Sequence, residues 1–536
     1  MIRTRCRYFL WTLTALGLAL AAHRGAAQQL GAPVETTEPP AVQAEKKAEP
    51  PKSAWYDHPV HHYIPRAGNF AIPPKGPGYY SASDWLHGNY REAPPKSAYP
   101  AFGLMQPSFF DADFRYIDKP GYDADFLERL HRVHLGDNWL FGTGGSLWVR
   151  HMKEVSSRLS GRNNSYDLLR ARVFGDLWYQ DRFRIYAEFI SAHSFDPELA
   201  PLRIDRNKAD LLNAFVDIKL GEIDCRPVYA RIGRQELNIG STRLISSLEW
   251  ANTRRTFEGV RGFWLGEKLD VDVFWVQPVP ADNNRFDRRD RNQDFAGAFV
   301  TYHPDKGQAL DLYYLYLNNE NRATTLGINL TPTRVHTLGS RFVGDKNGFL
   351  WDFEGALQLG ERGGQSIVAG MGTAGIGYNW ACAPMNPTVW AYYDYASGDG
   401  NPNVGDFHTF NPLFPFGHYY LGFADIVGRQ NIRDLNFHLY LYPTKWITFN
   451  AQYHIFRLDR PGDALYNVAL APSRRSAAGI AGTDVGQEID LLVNFRLDRR
   501  SDVLVGYSKL FAGDFIANTG NPRSPELFYL MYNLRW

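Results

Sequence analysis

The sequence predicts a closed, antiparallel, all-β barrel that crosses a membrane with about 18 strands and carries a proline-rich N-terminal extension. Three observations predict it. Hydrophobicity alternates with period two through nearly all of the chain after residue 138. The links between alternating segments are short and long by turns. No internal run approaches the ~20 apolar residues of a membrane helix, yet the 536 residues are 15% aromatic, with 30 Tyr, 34 Phe and 14 Trp. Such side chains suit a pleated, half-buried surface.

The first 27 residues read as a signal peptide. "MIRTRCRYFLWTLTALGLALAAHRGAAQQ" has a basic start (Arg3, Arg5, Arg7), an apolar run from Phe9 to Ala22 and small residues before a polar stretch, the three parts of an export signal. Cleavage is expected after Ala27. Residues 28–122 hold 15 of the 32 prolines. Proline fixes φ and removes a donor, so this region cannot be a regular sheet, and it reads as a disordered or extended periplasmic arm. Within it "DHPVHH" (Asp57, His58, His61, His62) has the density of a metal site but no framing secondary structure, and no metal is assigned. The barrel domain is set at 123–536. Its first part, 123–138 with "ADFLERLHRVHLG", has poorly sorted faces and is read as a pre-barrel helix or strand; the barrel proper is 139–536.

From there the strands follow in order. In "SYDLLRARVFGDLWY", Leu169, Ala171, Val173, Leu177 and Tyr179 oppose Arg170, Arg172 and Asp176. In "EKLDVDVFWVQ", Leu269, Val271, Val273 and Trp275 oppose Asp270 and Asp272. In "RDLNFHLYLYP", Leu435, Phe437, Leu439 and Leu441 oppose Asn436, His438 and Tyr440. In "GQEIDLLVNFRLD", Ile489, Leu491, Val493, Phe495 and Leu497 oppose Glu488, Asp490, Asn494 and Arg496. At the end of the chain Phe528, Leu530, Tyr532, Leu534 and Trp536 form a wholly apolar set. Around 294–303 and 333–343 the faces mix. Alternation of this kind argues strands with one apolar and one polar face. Short links are expected near 180–182, 266–268, 304–307, 443–445 and 499–501, and long ones near 195–208, 278–293, 397–431, 458–484 and 513–524. Short turns at one end and long loops at the other are the pattern of an outer-membrane barrel. Inside a bilayer every backbone group must be paired, so the sheet must close, with the terminal strand pairing to the first near 144–156. Eighteen strands leave an aqueous lumen.

The residue inventory excludes several functions. The formal charge is +1, and loss of the signal's four arginines leaves a mature chain near −3, unlike a basic nucleic-acid protein. Of three cysteines Cys6 leaves with the signal, and Cys225 with Cys382 makes no disulfide framework. No nucleophile elbow, zinc motif or phosphate loop occurs, so no enzyme activity and no cofactor are expected. "SGDGNPNVGD" (Asp399, Asp406) resembles a calcium loop only loosely, and this long loop could instead fold into the mouth and gate it.

By strand parity Arg150, Arg170, Arg172, Arg184 and Arg231 point to the polar face. Arg234 joins them only if Gly233 marks a bulge. Guanidinium groups bind carboxylates bidentately and stay charged, so a row of them in a lumen attracts anions. The blander reading is that they pair with lumen acids such as Asp176, Glu188, Asp217, Glu354, Glu488 and Asp490 and brace the wall; Glu488 and Asp490 count as pore-lining candidates too. The basic clusters "RRTFEGVR" (254–261) and "RFDRRDR" (285–291) read as solvated charge, with contact to saccharide or lipopolysaccharide phosphates as the sharper option.

The chain resembles the alginate export family of outer-membrane β-barrels. The resemblance is carried by "VYARIGRQELNIGSTRLIS" (228–246), "NTRRTFEGVRGFWL", "ASGDGNPNVGDFHTFNPLFPFGHYYLGFAD" (396–425), "YHIFRLDRPGDALY", "DVGQEIDLLVNFRL" and "GYSKLFAGDFI", in that order. It implies an 18-stranded porin with an arginine-lined pore for an anionic polysaccharide. It also implies lipid, lipopolysaccharide and periplasmic secretion proteins as partners. Arg150, Arg170, Arg234 and Arg433 match the family's basic positions; Val505 and Tyr507 stand where an arginine pair is expected. The expected function is thus an outer-membrane channel for anionic saccharide or polysaccharide. The alternatives are a general or small-solute uptake porin of the same architecture, an outer-membrane enzyme, and a structural or adhesion barrel whose mark would be a lumen plugged by its own loops and arm.

Overall fold

The computed structural model describes residues 71–100, 102 and 106–536. The signal peptide, the first part of the arm and "DHPVHH" lie outside the described residues. The pre-barrel segment holds both expected forms, a helical turn α2 (Phe126–Arg129) and a short strand β1 (Val133–Leu135); an earlier turn of helix, α1, spans Ala82–Leu86. Asp125 and Glu128 close α2 with a reciprocal capping box, satisfying two N-terminal donors.

Eighteen strands then form one closed ring. The first seven are β2 (Trp139–Val155), β3 (Asn164–Tyr179), β4 (Phe183–Phe195), β5 (Asn207–Ile223), β6 (Arg226–Gln235), β7 (Thr256–Leu265) and β8 (Leu269–Val279). Next come β9 (Gln293–Tyr302), β10 (Gln308–Thr325), β11 (Ile328–Lys346), β12 (Phe349–Arg362), β13 (Gln365–Asn379) and β14 (Thr388–Ala396). After β15 (Ile432–Thr444) and β16 (Ile447–Leu458), a small hairpin of β17 (Ala464–Tyr466) and β18 (Pro472–Arg475) stands apart, before β19 (Asp484–Arg496), β20 (Ser501–Ala512) and β21 (Glu526–Arg535). Each barrel strand pairs antiparallel with its neighbours, and β21 pairs with β2 from Ser146↔Arg535 to Val155↔Glu526, where the sequence places the closure.

The alternation sorts as expected. Val173 (49%), Trp275 (50%) and Phe437 (43%) are exposed on the outside, while Arg170, Asp490 and Tyr529 are fully buried within. The two segments with mixed faces, β9 and β11, have a simple cause. Their inward residues Phe295, Phe299 and Val335 join a buried apolar cluster with residues of loops 236–255 and 397–431, so the inner face there meets protein rather than water. The C-terminus and the turns 180–182, 224–225, 266–268, 347–348, 445–446 and 497–500 share one end, the turn end. Loops 236–255, 397–431 and 459–483 rise from the other, the loop end. The strict alternation of link lengths fails at 326–327 and 363–364, two tight loop-end turns joining long strands. Pro443, expected in a turn, lies inside β15 at a register shift between Leu441 and Thr444, an irregularity of the kind that accommodates proline in a sheet.

Candidate functional site

Strand parity brings Arg150, Arg170, Arg172, Arg184 and Arg231 inside, all buried. Four of the five are ion-paired. Arg231 holds Asp217 bidentately, Nε at 2.7 Å and Nη2 at 2.9 Å. Arg184 does the same with Asp176 at 2.7 and 2.8 Å. Arg172 Nε donates to Glu188 at 2.6 Å, and Arg170 Nη2 to Glu249 at 2.8 Å. Their faces are covered as well, Arg170 by Trp148 at 3.5 Å and Arg231 by Phe215 at 3.8 Å. Arg150 differs. Its Nη2 donates to the Trp250 carbonyl at 3.0 Å and its plane lies 4.0 Å over the Trp250 ring, but Nε and Nη1 have no hydrogen-bond partner. It lines a cavity of about 200 Å³ at the loop end, shared with Glu154, Asp205, Asn252 and Asp425.

Gly233 marks no bulge. The β5–β6 and β6–β7 registers run unshifted past it. Arg234 sits at the end of β6, where it reaches Asp210 (3.0 Å) and the carbonyls of Leu211 and Asp287. Arg433 follows the outward parity of Leu435 at the start of β15, half exposed and paired with Asp459 at 2.6 Å.

The middle of the lumen is crossed by a bar of two loops. Residues 236–255 and 397–431 turn inward and join by backbone hydrogen bonds: Ser246 N–H to Phe414 O, Phe414 N–H to Leu244 O and Phe416 N–H to Thr242 O, each 3.0 Å. Ile245 and Phe414 form a parallel bridge. Leu237, Ile239, Phe410 and Tyr420 bury the seam. The bar is bolted to the wall by ion pairs. Arg243 donates to Asp352 (2.8 Å) and Glu354 (2.9 Å) of β12, and Arg429 to Asp394 of β14 at 2.6 Å. On the β3 side Glu249 meets Arg170, and Arg254 links Glu236 with Glu249. In the ring order β3 and β12 stand opposite each other, so the bar spans the full width.

Glu488 and Asp490 lie beneath this bar. Glu488 accepts the Ala424 N–H at 2.9 Å and Asp490 the Phe423 N–H at 3.3 Å. Gly422 makes the approach possible: its φ is +83°, and a Cβ there would come within 2.3 Å of the Glu488 carboxylate. Of the two acids of the calcium-like loop, Asp399 is consumed by hydrogen bonds from the Asn401 and His408 N–H groups, and Asp406 is exposed.

Sequence reasoning missed Arg243, Glu236, Glu249, Trp250 and Arg429. It also took "RRTFEGVR" for solvated charge, whereas Arg254 and Arg261 are buried and paired, the latter with Asp272 at 2.6 Å. A signal was present: two of the motifs that carry the family resemblance, 228–246 and 396–425, contain the strands of the bar. The "RFDRRDR" cluster is split. Arg285, Phe286, Arg288 and Arg289 are exposed. Asp287 between them is buried, pinned by the Asn207 side chain (2.7 Å), with its acidity weakened to a pKa of about 6 by that burial. A second cavity at the loop end, about 710 Å³, is lined by Arg255, Asp290, Asn319, Asn321, Asn411 and His418 among others. Burial lowers the Arg255 pKa to about 10. Cys225 and Cys382 are free and exposed on turns.

The profile of the alginate export family matches residues 141–530. No curated protein matches the chain. Solved structures similar to it include three proteins of Pseudomonas aeruginosa. OccD3 (OpdP) is 11% identical, with 74% of this chain and 91% of that one covered and a TM-score of 0.49. The outer membrane protein OprD is 12% identical, covering 74% and 94%, with a TM-score of 0.47. OpdK is 12% identical, covering 74% and 99%, with a TM-score of 0.48.

Proposed function

The chain belongs to the alginate export family and is a porin-type β-barrel channel of the outer membrane, and from this premise we propose that it passes anionic saccharides or polysaccharides by diffusion through its arginine-containing lumen. The observation that carries the proposal is Arg150. A buried guanidinium with two nitrogens lacking a hydrogen-bond partner is costly unless a partner arrives, and it faces a cavity that also offers Glu154, Asp205, Asn252 and Asp425. A sugar acid suits that mixture: its carboxylate takes the guanidinium and its hydroxyls, which both donate and accept, take the rest. Arg170, Arg172, Arg184 and Arg231 supply the positive wall along the way, each already ion-paired with an acid. The proposal includes no catalytic step, cofactor or metal.

Planar bilayers provide the test. Ion current is expected to be blocked by an oligouronate and not by a neutral oligosaccharide of the same length. Arg150→Glu is expected to weaken the block about tenfold or more, the loss of one charge-assisted contact of roughly 1.5–3 kcal/mol. Equal block by both sugars would make this a general porin. A second reading, a structural or adhesion barrel, is favoured by the bar and the arm that fill the lumen. It requires that no current pass even when bar and arm are loosened by mutation.

A further inference from the structure

The described part of the arm weaves across the turn end and then enters the barrel. Asn386 Nδ2 donates to the Ile72 carbonyl at 2.6 Å, and Lys445 Nζ to the carbonyls of Lys75 and Gly76 at 2.6 and 2.7 Å. Ser83 N–H bonds to Leu497 O at 2.9 Å, in the β19–β20 turn. Trp85 stands 6.3 Å from Trp446. Farther along, "SFFD" (108–111) lies inside. Phe109 and Phe110 pack with Phe174, Tyr186 and Phe215 in one buried cluster. Arg172 covers Phe109 at 4.1 Å and Arg231 covers Phe110 at 4.6 Å. Arg184 Nη2 donates to the Phe110 carbonyl at 3.0 Å, and Ser108 Oγ to Glu236 Oε2 at 2.9 Å. The buried Asp111 carboxylate is set among the charges of Arg231, Arg261 and Arg184.

No described residue of 71–118 takes a place in the barrel's strand ladder. The arm is therefore held by side chains and scattered backbone bonds, and it can leave while all 18 strand pairings stay intact. What it occupies is a slot of guanidinium and aromatic faces on β3–β6. Asp111 places a carboxyl group there, the acid group that a uronate-bearing polymer also carries.

We propose that residues 108–111 are a displaceable stopper, an internal ligand that closes the turn end of the channel and competes with polyanionic cargo for the slot formed by Arg172, Arg184, Arg231, Phe174, Tyr186 and Phe215. The inference rests on the channel reading above and adds a closed resting state to it. Withdrawal of the arm by polyanion, or by a partner that grips its exposed part, opens the path.

Two measurements on the full chain test it. Phe109→Ala with Phe110→Ala is expected to raise mean conductance in planar bilayers several-fold; unchanged conductance overturns the stopper. Should that variant fail to insert, Ser108→Cys in a Cys225→Ser background answers instead, with the exposed Cys382 as internal reference. A small water-soluble thiol reagent is expected to label position 108 about tenfold or more slowly than Cys382, since thiol reactivity follows access; equal rates overturn the proposal. The reversal potential separates the two readings. A channel that the Phe variant opens without anion preference sinks the cargo assignment and leaves the stopper. An anion-selective channel indifferent to the Phe variant sinks the stopper alone.

Discussion

Arg231 and Arg150 show how differently two lumen arginines can be worth something to the same wall. Arg231 is locked bidentately to a fully buried Asp217. Such a pair need not add much net stability over an apolar pair, but removing one partner strands a charge, at about 3–5 kcal/mol. Arg231→Ala leaves Asp217 only the longer 3.5 Å approach of Arg184 Nη1 and is therefore expected to lower the denaturation midpoint of the detergent-folded barrel, with Arg231→Met plus Asp217→Leu recovering most of the loss. Arg150→Ala strands no carboxylate and is expected to cost about 1 kcal/mol, the worth of one ordinary hydrogen bond. Unfolding curves of the variants check both. Strand parity made all five arginines legible as inward residues. Their partners split by location: Asp176, Glu188 and Asp217 sit on strands with the same period and could be named in advance. Glu249, which meets Arg170, lies on a loop whose path no periodicity encodes.

Among the elements, the strands were readable because lipid imposes one rule on every outward position. The bar was not readable, because an inward loop obeys the rules of a protein core. Its residues alternate no more than those of any buried loop, and its apolar contacts blurred the very strands, β9 and β11, that it leans on. The long loop 397–431 was bounded correctly, and its inward fold stood as one option; loop 236–255 is absent from the expected long links, and only its end at Arg254 reads as lying in or near a loop. Bolting decides what the bar does. Arg243 is its charged tie to β12, beside the Ser241 hydroxyl, which donates to Glu354 at 2.7 Å, and Arg341 and the Tyr392 hydroxyl would remain beside Asp352 in its absence. Arg243→Ala is expected to raise conductance and its fluctuation while lowering thermal stability by about 3–5 kcal/mol. A quiet channel of unchanged conductance would mean that the bar does not narrow the path.

For the whole molecule, acidity and opening are linked through the arm. Burial raises the Asp111 pKa to about 6, against the pull of Arg231, Arg261 and Arg184 and with Asp217 adding to the rise. A carboxyl whose pKa is higher seated than free takes up a proton on seating. Its contribution is thus fully present below the free value of ~3.9 and is lost as pH climbs through about 6. Conductance is expected to increase between acidic and neutral pH, and Asp111→Asn to flatten that dependence; a slope that survives the substitution assigns it to other groups.

The seam between β2 and β21 has a further bearing on biogenesis. The first staves of the cylinder cannot be joined to the last until nearly the whole polypeptide has been delivered, and Gly145 and Trp536 then exchange amide-to-carbonyl bonds to finish the joint. A copy stalled before β21 presents two raw borders of unsatisfied amides and carbonyls, each a template for a neighbouring copy.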